Sequence, residues 1–383
     1  MRITIVTGPF FPIPPAPCGA VERLWWDLAR EFVRRGHAVR LLCRPDESGR
    51  AEEMRDGVSV RRLSAWTSTG SLAVNLAKDL VYAVHAVACL RPADILVTNT
   101  FWLPVLARLR PRAGCVVVNV GRMPKGQMRL YNALRVSCLA AVSRALGEAI
   151  QRECPAAAAR TVVVPNPIDT LHFSPPDVAR SWQAPFQLTY AGRIHPEKGV
   201  HVLLQAAHLL HRSGLRFRLT IAGAWRTSDG GGGEAYRRRL CALAEGLPVT
   251  FLDPLYDRAA FADLLRTTHL FCYPSLAEKG ESFGVAPLEA MATGAVPVVS
   301  DLACFRDFIR PGANAFVFDH RSRRRAQALA RVIRDAVNDP DALAGMSACG
   351  ARDARAFSVP AVAGNYLELF DHLRVKGSVP RNR

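Results

Sequence analysis

Short runs of β-branched and aliphatic residues recur along the chain, separated by segments whose apolar positions repeat at helical spacing. Ile3 to Thr7 is the first such run and ends at Gly8-Pro9. Val21, Leu24, Trp25, Leu28 and Phe32 then mark one face of a helix, and Gly36 stops it. Further buried strands are expected at Ala38–Cys43 and at residues 94–98, 115–120, 139–143 and 162–164. A proline-rich stretch at residues 167–186 interrupts the alternation, which restarts with strands at 187–191, 217–222, 249–251, 270–273 and 296–299. A helix is expected from about residue 286, and a last amphipathic helix runs from Val362 to Leu373. Strand–helix alternation in both halves predicts an α/β protein with two doubly wound parallel sheets. Ligands of such sheets lie beyond the carboxyl ends of the strands, and the cleft between two facing domains is the default site.

Composition narrows the picture. The chain has 383 residues, 49% of them apolar and 22% charged, which excludes a mainly disordered protein. The formal charge is +17, and only five of the 50 cations are Lys. The excess is spread over both halves and suits anionic partners such as phosphates or an acidic membrane surface. The ten cysteines show no CxxC pair or zinc-ligand spacing, so reduced, buried thiols and no metal are expected. Residues 3–21 lack charge but carry five prolines, and the apolar run 80–90 has half the length of a membrane span. No secretion signal is recognisable at the start. The expectation is a cytoplasmic protein, or one peripheral on the inner face of the cell membrane.

The strongest chemistry lies in residues 280–299, GESFGVAPLEAMATGAVPVV. A helix opening near Ala286-Pro287 places the amides of Phe283, Gly284 and Val285 at its N-terminus, where a phosphate fits. Glu281 and Glu289 flank that point. Carboxylates repel phosphate but accept hydrogen bonds from sugar hydroxyls, so the combination suits a sugar–phosphate–sugar ligand. In YAGRIHPEKGV, Arg193 and Lys198 sit in a strand–helix loop where two cations would clamp a diphosphate. Gly19 opens the first helix of the first half, and the absence of GxGxxG argues against a dinucleotide cofactor. Four glycines at 230–233 lack a following GK[ST] and read as a mobile surface loop.

These motifs, in this order, resemble the family-4 retaining glycosyltransferases of the GT-B fold, which has two Rossmann-like domains facing across a cleft. The resemblance covers nearly the whole chain: PP-x-x-CGAVER with LAREFVRRGHAV, VPNPIDTLHFSP, YAGRIHPEKGV and PSLAEKGESFGVAPLEAMATGAVPVV. It implies an acceptor-binding domain over residues 1–170, a nucleotide-sugar domain over 171–355 and a last segment, 356–383, whose helix crosses back to the first domain. It implies that Arg193 and Lys198 bind the donor diphosphate, Glu281 the transferred sugar and Glu289 the ribose. Phe283, Gly284 and Val285 would supply backbone contacts, Gly19 would approach the diphosphate, and Leu255 would lie near the base. The reaction implied is metal-free transfer from a nucleotide diphosphate sugar, UDP favoured, to an acceptor hydroxyl with retention. The setting implied is assembly of bacterial cell-surface glycans or glycolipids, with the sugar donor as co-substrate and no cofactor.

Where the family often has a His at an N-domain strand end, this chain has Asn99 and Asn119, which become the candidates for the acceptor or sugar pocket. Pro167 and Ala20 replace family glycines at tolerant loop positions. Glycosylation of a small natural product is the alternative acceptor reading. A sugar-nucleotide 2-epimerase of the same fold is the alternative enzyme, disfavoured by FG….EAMA. No nucleic-acid motif appears. Asp339-Pro340-Asp341 spells DxD but reads as a turn, and RSRRR at 321–325 reads as a solvated helix start with lipid headgroups as the second reading.

Overall fold

The computed structural model describes residues 1–13, 19–46, 49–376 and 379, so the part of the N-terminal motif from Pro14 to Cys18 lies outside the described residues. The chain divides into two compact units, Met1–Pro167 with Val359–Arg383, and Ile168–Ser358. The division falls at Pro167–Ile168 and Ser358–Val359, a few residues from the expected limits of 170 and 355.

The first unit contains β1 (Arg2–Val6), β2 (Ala38–Cys43), β3 (Glu52–Arg55), β4 (Val58–Arg62), β5 (Ile95–Thr98), β6 (Cys115–Val120), β7 (Cys138–Ala141) and β8 (Thr161–Val163). Their order in the sheet is β3-β4-β2-β1-β5-β6-β7-β8. Every pairing is parallel except β3 with β4. Its helices are α1 (Ala20–Arg34), α2 (Leu72–Cys89), α3 (Leu103–Leu106), α4 (Gln127–Ala133) and α5 (Arg144–Glu153). The second unit contains β9 (Phe186–Ala191), β10 (Phe217–Ala222), β11 (Val249–Leu252), β12 (Leu270–Tyr273), β13 (Val296–Ser300) and β14 (Phe316–Phe318). Their order is β11-β10-β9-β12-β13-β14, all parallel. Its helices are α6 (Val200–Arg212), α7 (Gly233–Ala244), α8 (Arg258–Thr267), α9 (Val285–Ala292), α10 (Arg325–Val337) and α11 (Pro340–Ala354). In both sheets the order reverses next to the first strand, at β1/β5 and at β9/β12, which creates a crevice at the carboxyl ends there.

The last helix, α12 (Val359–Lys376), belongs to the first unit. Val362, Tyr366 and Phe370 join Trp25, Phe32, Ile5 and Val97 in one buried cluster. Trp25 and Tyr366 meet with ring centroids 5.2 Å apart, and Phe32 packs edge-on to Phe370 at 5.9 Å. The opposite face of the sheet buries Val6, Leu42 and Leu96 under Tyr82, Ala83 and Ala86 of α2.

Several expectations are corrected. The β3–β4 hairpin was not anticipated because β3 is polar and exposed; its sequence signal is Asp56-Gly57, both in positive φ. Paired charges hold it, with the buried Arg62 reaching Asp46 at 2.7 Å and Glu53 at 2.5 Å. The apolar run at 80–90 is the end of a longer helix, α2, of 18 residues. Asp339 caps α11, accepting from the Ala342 amide at 2.9 Å, so the DxD spelling is a helix start. Nine described cysteines are free, but Cys241 is exposed and Cys89, Cys115 and Cys349 are half-buried.

Phe370 is fully buried against two aromatic rings. Phe370→Ala will lower the stability of the first unit by about 3–5 kcal/mol, read as a reduced midpoint in guanidinium denaturation.

Candidate active site

The loops after β9 and β12 leave adjacent parallel strands, so they lie side by side at the β9/β12 switch point. Backbone contacts bind them together. The Leu276 amide donates to the Glu197 carbonyl at 2.7 Å. Gly199 has φ 70°, and a Cβ there would stand 1.9 Å from the Pro274 carbonyl oxygen. Only glycine allows this approach, and it fixes Lys198 opposite the β12 loop.

Lys198 Nζ lies 2.7 Å from Glu281 Oε2, and both residues are buried. The ammonium also lies 5.6 Å from the centre of the Tyr273 ring. Tyr273 stacks on Tyr190 at 5.8 Å, and the Tyr190 hydroxyl donates to the Arg193 carbonyl at 2.7 Å. Burial pushes both phenols well above their ordinary range, with the Glu281 charge adding to it. Burial and the same carboxylate also raise the Cys304 thiol. Arg193 is half-exposed; it donates to the Gly230 carbonyl at 2.8 Å and to Glu197 Oε1 at 3.0 Å. The loop at 230–233 is therefore tied down rather than loose: Gly231 N donates to Arg226 O and Gly232 N to Ile194 O.

Gly284, at φ 90°, caps α9 without a side-chain hydrogen bond, and a Cβ there would collide with the Phe305 ring. The first-turn amides and the positive end of the helix thus open beside Glu281. Phe283 turns its ring into an aromatic cluster, 5.4 Å from Phe308 and 6.0 Å from Phe357, which leaves its backbone for a ligand. Val285 and Glu289 lie on α9 and are half-buried. Leu255 is half-buried in the loop after β11, two strands away from β9.

In the first unit, Gly19 precedes α1, and a Cβ there would meet Glu22 Oε2 at 3.1 Å. Asn99 follows β5, its Oδ1 buried without a partner among the described residues. Asn119 is buried and donates to the Tyr366 hydroxyl of α12 at 3.3 Å, so its amide is engaged in helix packing. Glu22 was missed by the sequence reading. Burial raises its carboxyl to about 7, against the lowering effects of its own backbone N–H and of Arg122.

Two family models match the chain: Glycosyl transferases group 1 over residues 179–352, and Glycosyltransferase Family 4 over residues 21–171. The chain belongs to the family-4-type GT-B glycosyltransferases. Over 201 residues, 50% of this chain and 45% of the relative, it is 33% identical to D-inositol 3-phosphate glycosyltransferase of Thermobispora bispora. Over 190 residues, 48% of the chain and 45% of the relative, it is 32% identical to a GDP-mannose-dependent alpha-(1-6)-phosphatidylinositol dimannoside mannosyltransferase of Mycobacterium tuberculosis. The chain thus spans about half the length of these curated relatives. Sucrose-phosphate synthase of Thermosynechococcus elongatus has the same fold, with a TM-score of 0.79 at 20% identity over 97% of this chain and 98% of that one.

In this GT-B protein the structure brings together Arg193, Lys198, Glu281 and the N-terminus of α9. The sequence reading missed what supports them. Tyr273 and Tyr190 form the aromatic floor, and the glycine run with Glu197 grips Arg193. The Gly230–Gly233 run was the available signal for that grip. Glu278 and His320, 2.9 Å apart, anchor the same β12 loop. Among the described residues, no three or more His, Cys, Asp and Glu side chains cluster as a metal site.

Removing one member of a buried ion pair leaves the other uncompensated. Lys198→Met will cost about 3–5 kcal/mol of stability, and adding Glu281→Gln will restore part of it, as urea denaturation of the two variants will show. Glu22 has a raised folded-state pKa, so its contribution to stability is complete below the unfolded value of 4.5 and lost as pH rises through about 7. The loss is on the order of 3 kcal/mol, and Glu22→Gln will abolish it, giving a flatter stability profile between acid and mildly alkaline pH.

Proposed function

We propose that the protein is a retaining glycosyltransferase that moves a sugar from a nucleotide diphosphate sugar to an acceptor hydroxyl. The observation that supports this most is the buried Lys198–Glu281 pair set beside the uncapped N-terminus of α9. A cation and a helix end suit a diphosphate, and the carboxylate suits the hydroxyls of the sugar it carries. Arriving phosphate competes for the Lys198 ammonium and leaves Glu281 to accept hydrogen bonds from the sugar. Glu289, further along α9, accepts from the ribose.

Departure of the nucleoside diphosphate builds negative charge on the leaving oxygen. Arg193, Lys198 and the first-turn amides of α9 stabilise that charge as it develops, without a metal. The Gly230 carbonyl and Glu197 hold the Arg193 guanidinium, so little reorganisation is needed. The sugar passes through an oxocarbenium-like state, and the acceptor hydroxyl enters on the face the leaving group vacates. Its proton passes to a phosphate oxygen, and the anomeric configuration is retained. A UDP-sugar is the donor the resemblance favours. The name of the mannosyltransferase relative brings in GDP-mannose as the second donor to test. Assembly of a cell-surface glycan or glycolipid is the proposed setting.

Calorimetric titration with UDP, GDP and ADP, each with EDTA and with Mg²⁺, tests this reading. One nucleotide is expected to bind in EDTA, and Glu289→Ala and Arg193→Ala each to weaken it by about ten-fold or more. Strict dependence on Mg²⁺ overturns the metal-free mechanism. Release of nucleoside diphosphate from the sugar donor without any acceptor favours an epimerase-like reaction instead.

A further inference from the structure

The RSRRR run at 321–325 divides. Arg321 pairs with Glu278 and Asp301, whereas Arg323 and Arg325 line a cleft of about 560 Å³ between α6 and α10. Both helices belong to the second unit. One wall is a single face of α6, from which Gln205, His208 and Arg212 project at helical spacing. The other is the start of α10, with Gln327 beside the two arginines. The volume falls among those of small-molecule sites, about 300–1,000 Å³. Charge in this cleft is of one sign. Arg212, Arg323 and Arg325 pair with no carboxylate, and no Asp or Glu lines the cleft, among the described residues. Further along α10, by contrast, Arg331 meets Asp335 at 3.6 Å. A cleft walled by unpaired charge of one sign concentrates small ions of the other.

The cations come from positions spread along the cleft. Burial and the charges of Arg239 and Arg325 hold the His201 imidazole below its ordinary range, which sets Arg325 near the first turn of α6. Arg212 lies three turns further along that helix, roughly 16 Å. Gln205 and His208 lie between these points on α6, and Gln327 adds a second carboxamide from α10. His208 Nε2 donates to the Leu243 carbonyl at 2.8 Å, which leaves Nδ1 of the neutral ring as an acceptor. Carboxamides and such a ring bond hydroxyl groups. Leu209 and Ala326 are the apolar positions, and no aromatic ring lines the cleft among the described residues, so nothing there stacks on a nucleobase. We propose that this cleft binds a small sugar or polyol carrying two phosphate groups, the guanidinium groups taking the phosphates and the carboxamides with His208 taking the hydroxyls. The proposal is independent of the glycosyl-transfer reading, since the cleft shares no residue with Arg193, Lys198, Glu281 or α9.

Calorimetric titration of the full chain with fructose 1,6-bisphosphate tests it, against fructose 6-phosphate and inorganic phosphate. The bisphosphate is expected to bind more tightly than either by about ten-fold or more, and less tightly as salt rises. Arg212→Ser with Arg323→Ser, both exposed, is expected to weaken it by about ten-fold or more while circular dichroism and the melting temperature stay as in the parent. Arg193→Ala, in the other site, is expected to leave it unchanged. Bisphosphate binding that Arg193→Ala removes and the cleft variant keeps overturns the proposal, because the anion then occupies the site beside α9. So does a bisphosphate that fails to bind, or that binds no more tightly than inorganic phosphate. Anionic vesicles or duplex DNA held through Arg212 and Arg323, with no binding of the bisphosphate, overturn it as well.

Discussion

A buried ammonium 2.7 Å from a buried carboxylate survives only where the surrounding backbone holds both in place. In this chain that backbone is the seam between the β9 and β12 loops. Gly199 lets the two loops meet at the Pro274 carbonyl, and the Leu276 amide closes the seam on Glu197. The sheet order makes the seam available, because β9 and β12 are neighbours whose connections run to opposite sides. Lys198 sits just before Gly199, and Glu281 just before the turn into α9, so one constraint positions both charges.

The same constraint accounts for the mixture of signs. The N-terminus of α9 favours anions, yet Glu281 lies next to it. Lys198 neutralises that carboxylate in the absence of ligand, and the Tyr273 ring supports the ammonium from one face. A ligand carrying both phosphate and hydroxyls can divide the pair, giving the phosphate to Lys198 and the hydroxyls to Glu281. A phosphate alone leaves Glu281 unpaired in a buried place, and a neutral sugar alone gives Lys198 nothing better than it has. On the proposed reading the arrangement favours ligands that carry both groups.

What was legible in the sequence followed physical necessity at each position. Parallel strands buried on both faces must be largely apolar runs, so β1, β9 and β12 stood out. Arg193, Lys198 and Glu281 stood out because charged residues beside glycines at strand ends have few structural reasons to be there. Glu22 was not legible as a perturbed group, because its shift arises from burial that no local pattern reveals. The 230–233 run looked loose because glycines without a phosphate motif usually are; its contact with Pro196 and its hydrogen bond to the Ile194 carbonyl come from the β9 loop, far away in sequence.

Charge excess by itself does not locate a partner, and the two basic segments show why. Arg321, in the run at 321–325, pairs with Glu278 at 2.7 Å and with Asp301 at 3.4 Å, while Glu278 also meets His320. Much of the charge at the start of that run is thus directed at the protein itself, where it stiffens the β12 loop that carries Glu281. Arg108, Arg110 and Arg112 instead stand exposed around the exposed Leu109. Neighbourhood, and not net charge, therefore separates an arginine that braces the β12 loop from one that faces outward to solvent.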